Sequence, residues 1–147
     1  MTEIRKTIEI SAPPERVFRI IRDVERWHSW TASISSVRLV TPGPLAIGST
    51  AEVRQPNLPM ARWTVTALEE DLGFTWMSRS PGVRVTAEHW ITATPAGCRV
   101  ALSISYGGLL GPLLGRVFHR ISDRYVAMEA DGLKARAERT SDADVRG

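Results

Sequence analysis

The sequence predicts an α+β fold in which an antiparallel sheet packs against one long C-terminal helix. Before residue 109, apolar and polar residues mostly alternate along short segments, as they do in half-buried strands. Between 109 and 139, apolar or small residues recur at steps of three and four, which places them on one helical face. With 147 residues, the chain is long enough for one domain with a sizeable core. We expect a single domain over 1–139 and a frayed tail over 140–147.

The first predicted strand is Thr2–Ile10, where isoleucines alternate with charged residues. Two prolines at 13 and 14 end this strand and suit the first turn of a helix. Apolar residues then follow at helical spacing, which predicts a short amphipathic helix to about Asp23. The next stretch carries Trp27 and Trp30 on one side of a second short helix or turn. This pair either fills one end of the core or stacks on a ligand.

Further strands are predicted between turn signals rich in Pro, Gly or acidic residues. Their bounds are 34–40, 47–55, 61–68, 74–79, 83–94 and 98–106. The connections are short, and a parallel crossover needs roughly a dozen residues or more. The sequence therefore predicts an antiparallel meander, in which helices separate only the first strand from the others.

Alternation along each strand predicts which residues face the helix. These residues are mostly apolar or aromatic, with few polar groups, which is typical of a small-molecule pocket. The set comprises Ala51, Val53, Gln55, Trp63, Val65, Ala67, Phe74, Trp76, Ser78, Val83, Val85, Ala87, His89, Ile91, Ala93, Val100, Leu102, Ile104 and Tyr106.

The last predicted hairpin has two possible registers. Residues directly opposite each other share a face, so Ile91 pairs with either Val100 or Leu102. In the second register Tyr106 lies one same-face step from His89, roughly 7 Å away. In the first register it lies two steps away. Both registers allow one ligand of modest size to touch the two side chains.

His89 and Tyr106 are the candidate catalytic residues. His89 is the polar member of an otherwise apolar row on its predicted strand, and an imidazole can exchange protons near neutral pH. The alternative is a structural histidine whose hydrogen bonds are satisfied inside the protein. A phenol beside a cavity, such as Tyr106, must find its partner in protein, water or ligand.

The predicted C-terminal helix supplies one wall of the pocket. Gly132 indicates close approach to another element, whereas Arg124 lies about 40° from the centre of the apolar face. Arg124 either extends to solvent or contacts an anionic ligand. The apolar face consists of Leu110, Leu114, Val117, Ile121, Tyr125, Met128, Gly132 and Ala135.

The loop 56–60 keeps two apolar residues, Leu58 between two prolines and Met60 just after the second proline. A loop that retains apolar side chains usually covers something, so we expect it to form part of a lid over the pocket. The predicted ligand-binding residues are therefore Met60, Trp63, Trp76, His89, Leu102, Tyr106, Ile121, Arg124, Tyr125 and Met128.

Composition argues against several other classes of protein. The formal charge is +3, with 19 basic and 16 acidic residues scattered without blocks of like charge, so nucleic-acid binding is not expected. One cysteine and three histidines predict no internal disulfide, no structural zinc and no cofactor. The sequence has no secretory signal and no long apolar run, so we expect a cytoplasmic monomer or homodimer without an integral membrane segment. Glu52 and Glu88 are predicted to point outward, and His28 and His119 to lie at the surface.

Several segments carry a resemblance to a known superfamily. They are Ile8-Glu9-Ile10-Ser11-Ala12-Pro13-Pro14-Glu15-Arg16-Val17-Phe18, the segment 23–30, Gly48-Ser49, Phe74-Thr75-Trp76, Met128-Glu129 and Leu133-Lys134. In these the chain resembles the START-like or SRPBCC superfamily, and within it the polyketide cyclase/dehydrase-like branch. The resemblance implies a helix-grip fold, with seven strands curved around a long helix and two short helices between strands 1 and 2. It also implies a cavity for hydrophobic ligands, but no catalytic motif.

Three functions follow as hypotheses. The first is a carrier or sensor that binds a small hydrophobic, cyclic or aromatic ligand between sheet and helix. The second is a cyclase/dehydratase-like enzyme that uses His89 or Tyr106 as acid or base. The third is a protein-interaction module with a fully packed interior, resembling the chaperone-activator branch. Substituting His89 by Ala separates the first two, because only an enzyme has turnover to lose.

Overall fold

A computed structural model describes residues 2–139, and the predicted tail at 140–147 lies outside the described residues. Within residues 2–139 the chain forms a seven-stranded antiparallel sheet and helices that pack on its concave face. The strands are β1 (Thr2–Ile10), β2 (Ser36–Leu39), β3 (Thr50–Arg54), β4 (Ala61–Glu69), β5 (Gly73–Ser80), β6 (Val83–Thr94) and β7 (Gly97–Gly107). The helices are α1 (Pro14–Arg22), a 3₁₀ helix (Val24–Ser29), α2 (Gly111–Val117) and α3 (His119–Arg139).

The strand order is β1-β7-β6-β5-β4-β3-β2. Strands β2 to β7 are joined in sequence as a meander, and β1 pairs with β7 to complete the sheet. The α+β, helix-grip architecture predicted from the sequence is confirmed. The hairpin between β6 and β7 adopts the first of the two predicted registers, because Ile91 pairs with Val100.

Strand β4 departs from simple alternation. Its register with β5 shifts between Val65 and Ala67, so a residue is inserted there. Leu68 instead lies opposite Phe74 and packs against the core. The prediction that Ala67 faces the helix is therefore wrong, because a β-bulge moves the following residues to the other face.

The predicted single helix over 109–139 is divided at Phe118 into α2 and α3. Helix α2 lies close to β7: a Cβ on Gly111 would lie 2.9 Å from the Tyr106 carbonyl oxygen. The buried face of α3 also differs from the predicted one, and Ala135 is exposed. The buried residues of α3 are Ser122, Tyr125, Val126, Ala130, Leu133 and Ala137.

One glycine and two polar side chains hold α3 close to its neighbours. A Cβ on Gly132 would lie 2.0 Å from the Trp30 carbonyl oxygen, which confirms the predicted close approach. At the C-terminal end of α3, Glu138 accepts a hydrogen bond from the Ser11 amide (2.8 Å), and Lys134 donates to the Glu9 carbonyl (2.7 Å). The hydrogen bond from Lys134 is the main cause that lowers the pKa of Glu138. These contacts fix the helix along β1.

Trp27 fills one end of the space between sheet and helices. It is 2% exposed, and its indole Nε1 donates to the Ile21 carbonyl oxygen at 2.9 Å. The ring of Trp30 lies 5.7 Å away and is half-buried. Trp27 is therefore a core residue whose polar atom is satisfied by α1, as the packing interpretation of this pair predicted.

Across residues 2–139, the helices are too short or too polar to cross a lipid bilayer.

Candidate functional site

The candidate site is the cleft between the concave face of the sheet and α3. Val85, Ala87 and Ile104 point into this cleft from the middle of the sheet, yet they remain half-buried. Ile121 and Met128 on α3 are half-buried as well. Mid-sheet residues that face a helix are normally covered completely, so their exposure shows that solvent enters the cleft here. These half-buried apolar residues mark where the predicted pocket would lie.

The other end of the cleft is filled by aromatic rings around His89. His89 is 3% exposed and lies between Phe74 on β5 and Leu102 on β7. The Phe74 ring stacks on the imidazole at a centroid distance of 4.5 Å, and the Trp27 ring meets it edge-on at 5.2 Å. Trp76 completes this group at 6.1 Å. The imidazole therefore cannot rotate freely.

Both ring nitrogens of His89 face oxygen atoms. Nδ1 lies 3.3 Å from the Phe74 carbonyl oxygen, and Nε2 lies 3.4 Å from Oε1 of Glu129 on α3. A carbonyl oxygen can only accept, so Nδ1 must carry a hydrogen to bond it. Nε2 then meets the carboxylate favourably only if a further proton lies between them. His89 therefore lies between a backbone oxygen of β5 and a carboxylate of α3.

Glu129 is a candidate site residue that the sequence pattern did not single out. It belongs to one of the segments that carry the family resemblance, Met128-Glu129. Its position relative to the buried residues of α3 was the available signal: it follows Tyr125 by four positions and Val126 by three. Residues at these spacings share a helical face. An acidic residue on the sheet-facing side of a helix is uncommon without a partner.

Tyr106 forms the polar group at the open end of the cleft. It is 7% exposed, and its hydroxyl lies 2.7 Å from Ser122 Oγ on α3. Burial raises the pKa of Tyr106, and the hydrogen bond with Ser122 opposes that rise. The phenol is consequently neutral near neutral pH. Tyr106 therefore finds its hydrogen-bond partner within the protein. Ser122 is a second candidate site residue that the sequence pattern did not single out.

Tyr106 and His89 lie at different points along the cleft. Tyr106 pairs with Val85, which places it two same-face steps from His89. Their partners on α3, Ser122 and Glu129, are seven residues apart, or about 10 Å along a helix. The cleft thus has two polar points separated by an apolar wall.

Tyr125 connects α3 to the loop between β3 and β4. Its hydroxyl donates to the Pro56 carbonyl oxygen at 2.5 Å, and the residue is 6% exposed. Leu58 in this loop is half-buried, whereas Met60 is 41% exposed. The hydrogen bond therefore holds the loop 56–60 across the helix, while Met60 points largely to solvent.

The remaining predicted contacts separate into two groups. Trp63, Trp76 and Leu102 are buried on the concave face, with the two indoles 5.7 Å apart. Arg124, in contrast, is exposed and is not brought to the cleft. Because α3 turns Tyr125 and Ser122 toward the sheet, the side chain of Arg124 extends to solvent. Of the two alternatives for Arg124, extension to solvent is the one that the structure shows, so Arg124 does not join the candidate ligand contacts.

Ionisable residues away from the cleft follow the predicted surface positions. Glu52 lies on the outer face, where Arg38 (2.6 Å) and Arg62 (2.9 Å) bond its carboxylate and, Arg38 first, lower its pKa. Glu88 bonds Ser103 on the same outer face. His28 and His119 are exposed.

Cys98 is a buried free thiol, and burial raises its pKa to about 11. Within residues 2–139, no three side chains of His, Cys, Asp or Glu come together as metal ligands.

Comparison with known proteins agrees with the observed fold. A family model described as polyketide cyclase / dehydrase and lipid transport matches residues 1–138. The chain belongs to this family. The description joins enzymes with lipid carriers, so membership by itself does not select between the two activities.

The similar proteins extend the likeness over nearly the whole chain. An uncharacterized protein of Mycobacterium tuberculosis is 25% identical over 124 residues, covering 78% of this chain and 70% of the relative. A START superfamily protein from Mycobacterium smegmatis has a TM-score of 0.75 at 16% identity, covering 96% of this chain and 100% of that one. The di-domain ARO/CYC StfQ from the steffimycin biosynthetic pathway has a TM-score of 0.73 at 10% identity, covering 94% of this chain and 51% of that one. At these identities the structural likeness concerns the fold alone.

Proposed function

We propose that the protein binds a small hydrophobic, ring-containing ligand in the cleft between the sheet and α3, as a carrier or sensor. The observation that carries this proposal is the partial exposure of Val85, Ala87 and Ile104 on the concave face. Apolar side chains that remain accessible inside a cleft gain free energy when a ligand covers them, about 25 cal/mol for each Å² removed from water. A hydrophobic ligand is the natural occupant of such a wall.

The two polar points would orient that ligand. The Tyr106 and Ser122 hydroxyls can donate to or accept from a carbonyl or hydroxyl group at the open end. The Glu129 carboxylate, whose side chain is 16% exposed, can accept from a ligand hydroxyl at the other end, beside the aromatic rings around His89. Ser122 and Glu129 on α3 are about 10 Å apart, which suits an elongated cyclic molecule with a polar group at each end.

A cleft-filling substitution tests the proposal. Ala87→Phe places a phenyl group in the cleft, whereas Thr86→Phe places one on the outer face of the same strand. Fluorescence titration with N-phenylnaphthylamine, a neutral apolar probe, is expected to show at least about tenfold weaker binding in Ala87→Phe. Thr86→Phe is expected to bind the probe as the unsubstituted protein does. Equal affinities in all three proteins would contradict a ligand in this cleft.

An enzyme of the cyclase/dehydratase kind is the second candidate, and the His89–Glu129 pair is the observation that favours it. An imidazole beside a carboxylate can deliver a proton to, or take one from, a carbonyl-containing substrate as that substrate cyclises and loses water. In that case His89→Gln is expected to lower turnover by roughly 10²- to 10⁴-fold while affinity for the substrate is kept.

Mass spectrometry of a co-purified molecule separates the two candidates. The molecule is extracted from freshly purified protein and incubated again with His89→Gln and with unsubstituted protein. A carrier returns it unchanged from both proteins. Loss of one water or formation of an isomer with the unsubstituted protein alone would favour the enzyme.

A further inference from the structure

Helix α2 inverts the usual pattern of burial. Gly111 and Gly115 are its buried residues, whereas Leu113 is 58% exposed and Val117 is 64% exposed. Leu109, just before the helix, is 95% exposed. The close approach of Gly111 to the Tyr106 carbonyl leaves no room for a side chain, so the helix packs through its glycines. Leu113 and Val117 point outward as a result, whereas Leu114 is half-buried.

These exposed side chains form one surface. Leu113 and Val117 are four residues apart in α2, which places them on one side of the helix. Leu109 is exposed in the turn just before the helix. Neighbouring Leu110 is partly covered, because it packs against the position of Gly82 in the turn between β5 and β6. Contiguous exposed apolar residues on a small domain usually mark an interaction site.

The same surface is basic. Arg116, His119 and Arg120 are exposed beside Val117, and together these four residues line an open groove of about 420 Å³. Between Glu88 and Asp123 the chain contains no acidic residue. Asp123 itself pairs with Lys6 at 3.0 Å. We call Leu109, Leu113, Arg116, Val117 and Arg120 the α2 surface.

We infer that the α2 surface docks on an anionic lipid bilayer. Apolar side chains of such a segment insert at the boundary between headgroups and acyl chains, and flanking arginines contact anionic headgroups. Charge favours this occupant over a second copy of the chain. A two-fold symmetric contact through α2 would bring Arg116 and Arg120 of both copies together, which costs electrostatic energy.

The size of the α2 surface also favours a bilayer over a second copy of the chain. A seven-residue helix is only about 10 Å long, whereas a stable protein interface buries about 800 Å² on each partner. Insertion into a bilayer needs no shaped counterpart of that area. The inference of docking does not require the proposed ligand.

The position of α2 has a further consequence, which rests on the proposed function. Helix α2 lies in sequence between Tyr106 on β7 and Ser122 on α3, whose hydroxyls meet at the open end of the cleft. A bilayer on the α2 surface would therefore lie beside the end at which a hydrophobic ligand enters or leaves.

Sedimentation with lipid vesicles tests the docking. The full chain is mixed with vesicles of phosphatidylcholine alone, or of phosphatidylcholine with phosphatidylserine. We expect binding to the second kind, weakened by added salt, and at least about tenfold weaker binding for the double variant Leu109→Ser, Leu113→Ser. The matched control is Ile47→Ser, since Ile47 is 66% exposed in the loop between β2 and β3. It should bind as the unsubstituted protein does.

A second pair of variants isolates the charge. Arg116→Gln with Arg120→Gln is expected to weaken binding to anionic vesicles by roughly fivefold for each arginine. Arg38→Gln with Arg54→Gln removes the same charge from β2 and β3 and should have a smaller effect. Circular dichroism of every variant verifies that the fold is kept, because all substituted side chains are exposed.

Three outcomes would overturn the inference. They are no sedimentation of the unsubstituted protein with either vesicle, equal binding by the leucine variant, and a dimer in analytical ultracentrifugation that the leucine variant abolishes. The last result would assign the surface to a second copy. Probe affinity of Ala87→Phe and Thr86→Phe, measured without lipid, reports on the proposed ligand independently, so failure of one account is distinguishable from failure of the other.

Discussion

The two ends of strand β7 have opposite character. At one end Cys98 is 1% exposed and lies beside Ile10 in a closely packed core. At the other end Tyr106 borders a half-open cleft and leads into α2, which exposes its leucines. This contrast indicates that one end of the sheet contributes most to stability, whereas the other end is incompletely packed. Stability and binding are expected to respond to substitutions at different ends.

The largest difference between the ends is expected for removal of a large apolar side chain. Trp27→Ala should lower the free energy of unfolding by about 3–5 kcal/mol, because Trp27 is buried against Phe74, Trp76 and His89. Leu113→Ala should change it by less than about 0.5 kcal/mol, because Leu113 is exposed. Urea denaturation of both variants measures the difference. Similar losses would contradict the division into a stable end and an open end.

The next effect is alkaline destabilisation through Cys98. Its folded-state pKa is raised from 9.0 to about 11, mainly by burial, so the unfolded thiol ionises first as pH rises. The stabilising contribution is present below pH 9 and is lost as pH rises toward 11. Its size is roughly 3 kcal/mol, because the pKa changes from 9.0 to about 11 and a difference of one in pKa corresponds to about 1.4 kcal/mol.

Cys98→Ala is the comparison that isolates this contribution. Between pH 8 and 11 the free energy of unfolding of the unsubstituted protein should fall more steeply than that of the variant, as measured by urea denaturation at each pH. Parallel pH profiles of the two proteins would contradict a raised pKa of Cys98 in the folded protein. Tyr106, whose pKa burial also raises, is present in both proteins and cancels from the comparison.

The smallest loss of stability is expected for substitutions at the open end of the cleft. Tyr106→Phe removes the hydroxyl that meets Ser122 and should cost about 1 kcal/mol or less. Ser122 can turn its hydroxyl to the carbonyl of the preceding helical turn, so it is not left without a partner. Thermal unfolding measures the cost, with Ser122→Ala as the matched variant. A loss above about 3 kcal/mol would show that this end is as tightly built as the other.

The sheet was predictable because alternation along strands is a local property. Strand β1 and strand β6 have the predicted bounds, and the face that carries His89 and Leu102 is the predicted one. The bulge beside Ala67 was not predictable, since a single inserted residue leaves the apolar pattern of Trp63, Val65 and Ala67 intact. Only pairing with β5 reveals it.

The predicted buried face of the C-terminal helix is rotated relative to the observed one. One helical face was fitted across 109–139, but α2 and α3 are separate helices divided at Phe118. A single axis for both helices includes the exposed Val117 of α2 and rotates the predicted face of α3. This rotation places Arg124 near the predicted apolar face and gives Glu129 no role. Pairing of a buried histidine with a carboxylate depends on this rotation, so the sequence pattern alone did not contain it.

Native mass spectrometry of freshly purified protein tests the central claim most directly. The unsubstituted protein and Thr86→Phe are expected to carry a small hydrophobic molecule, or to take up N-phenylnaphthylamine in a one-to-one complex. Ala87→Phe, in which the cleft is filled, is expected to carry neither. A protein that binds nothing in any of the three forms, or an Ala87→Phe variant that binds as well as the others, would contradict a ligand site between the sheet and α3.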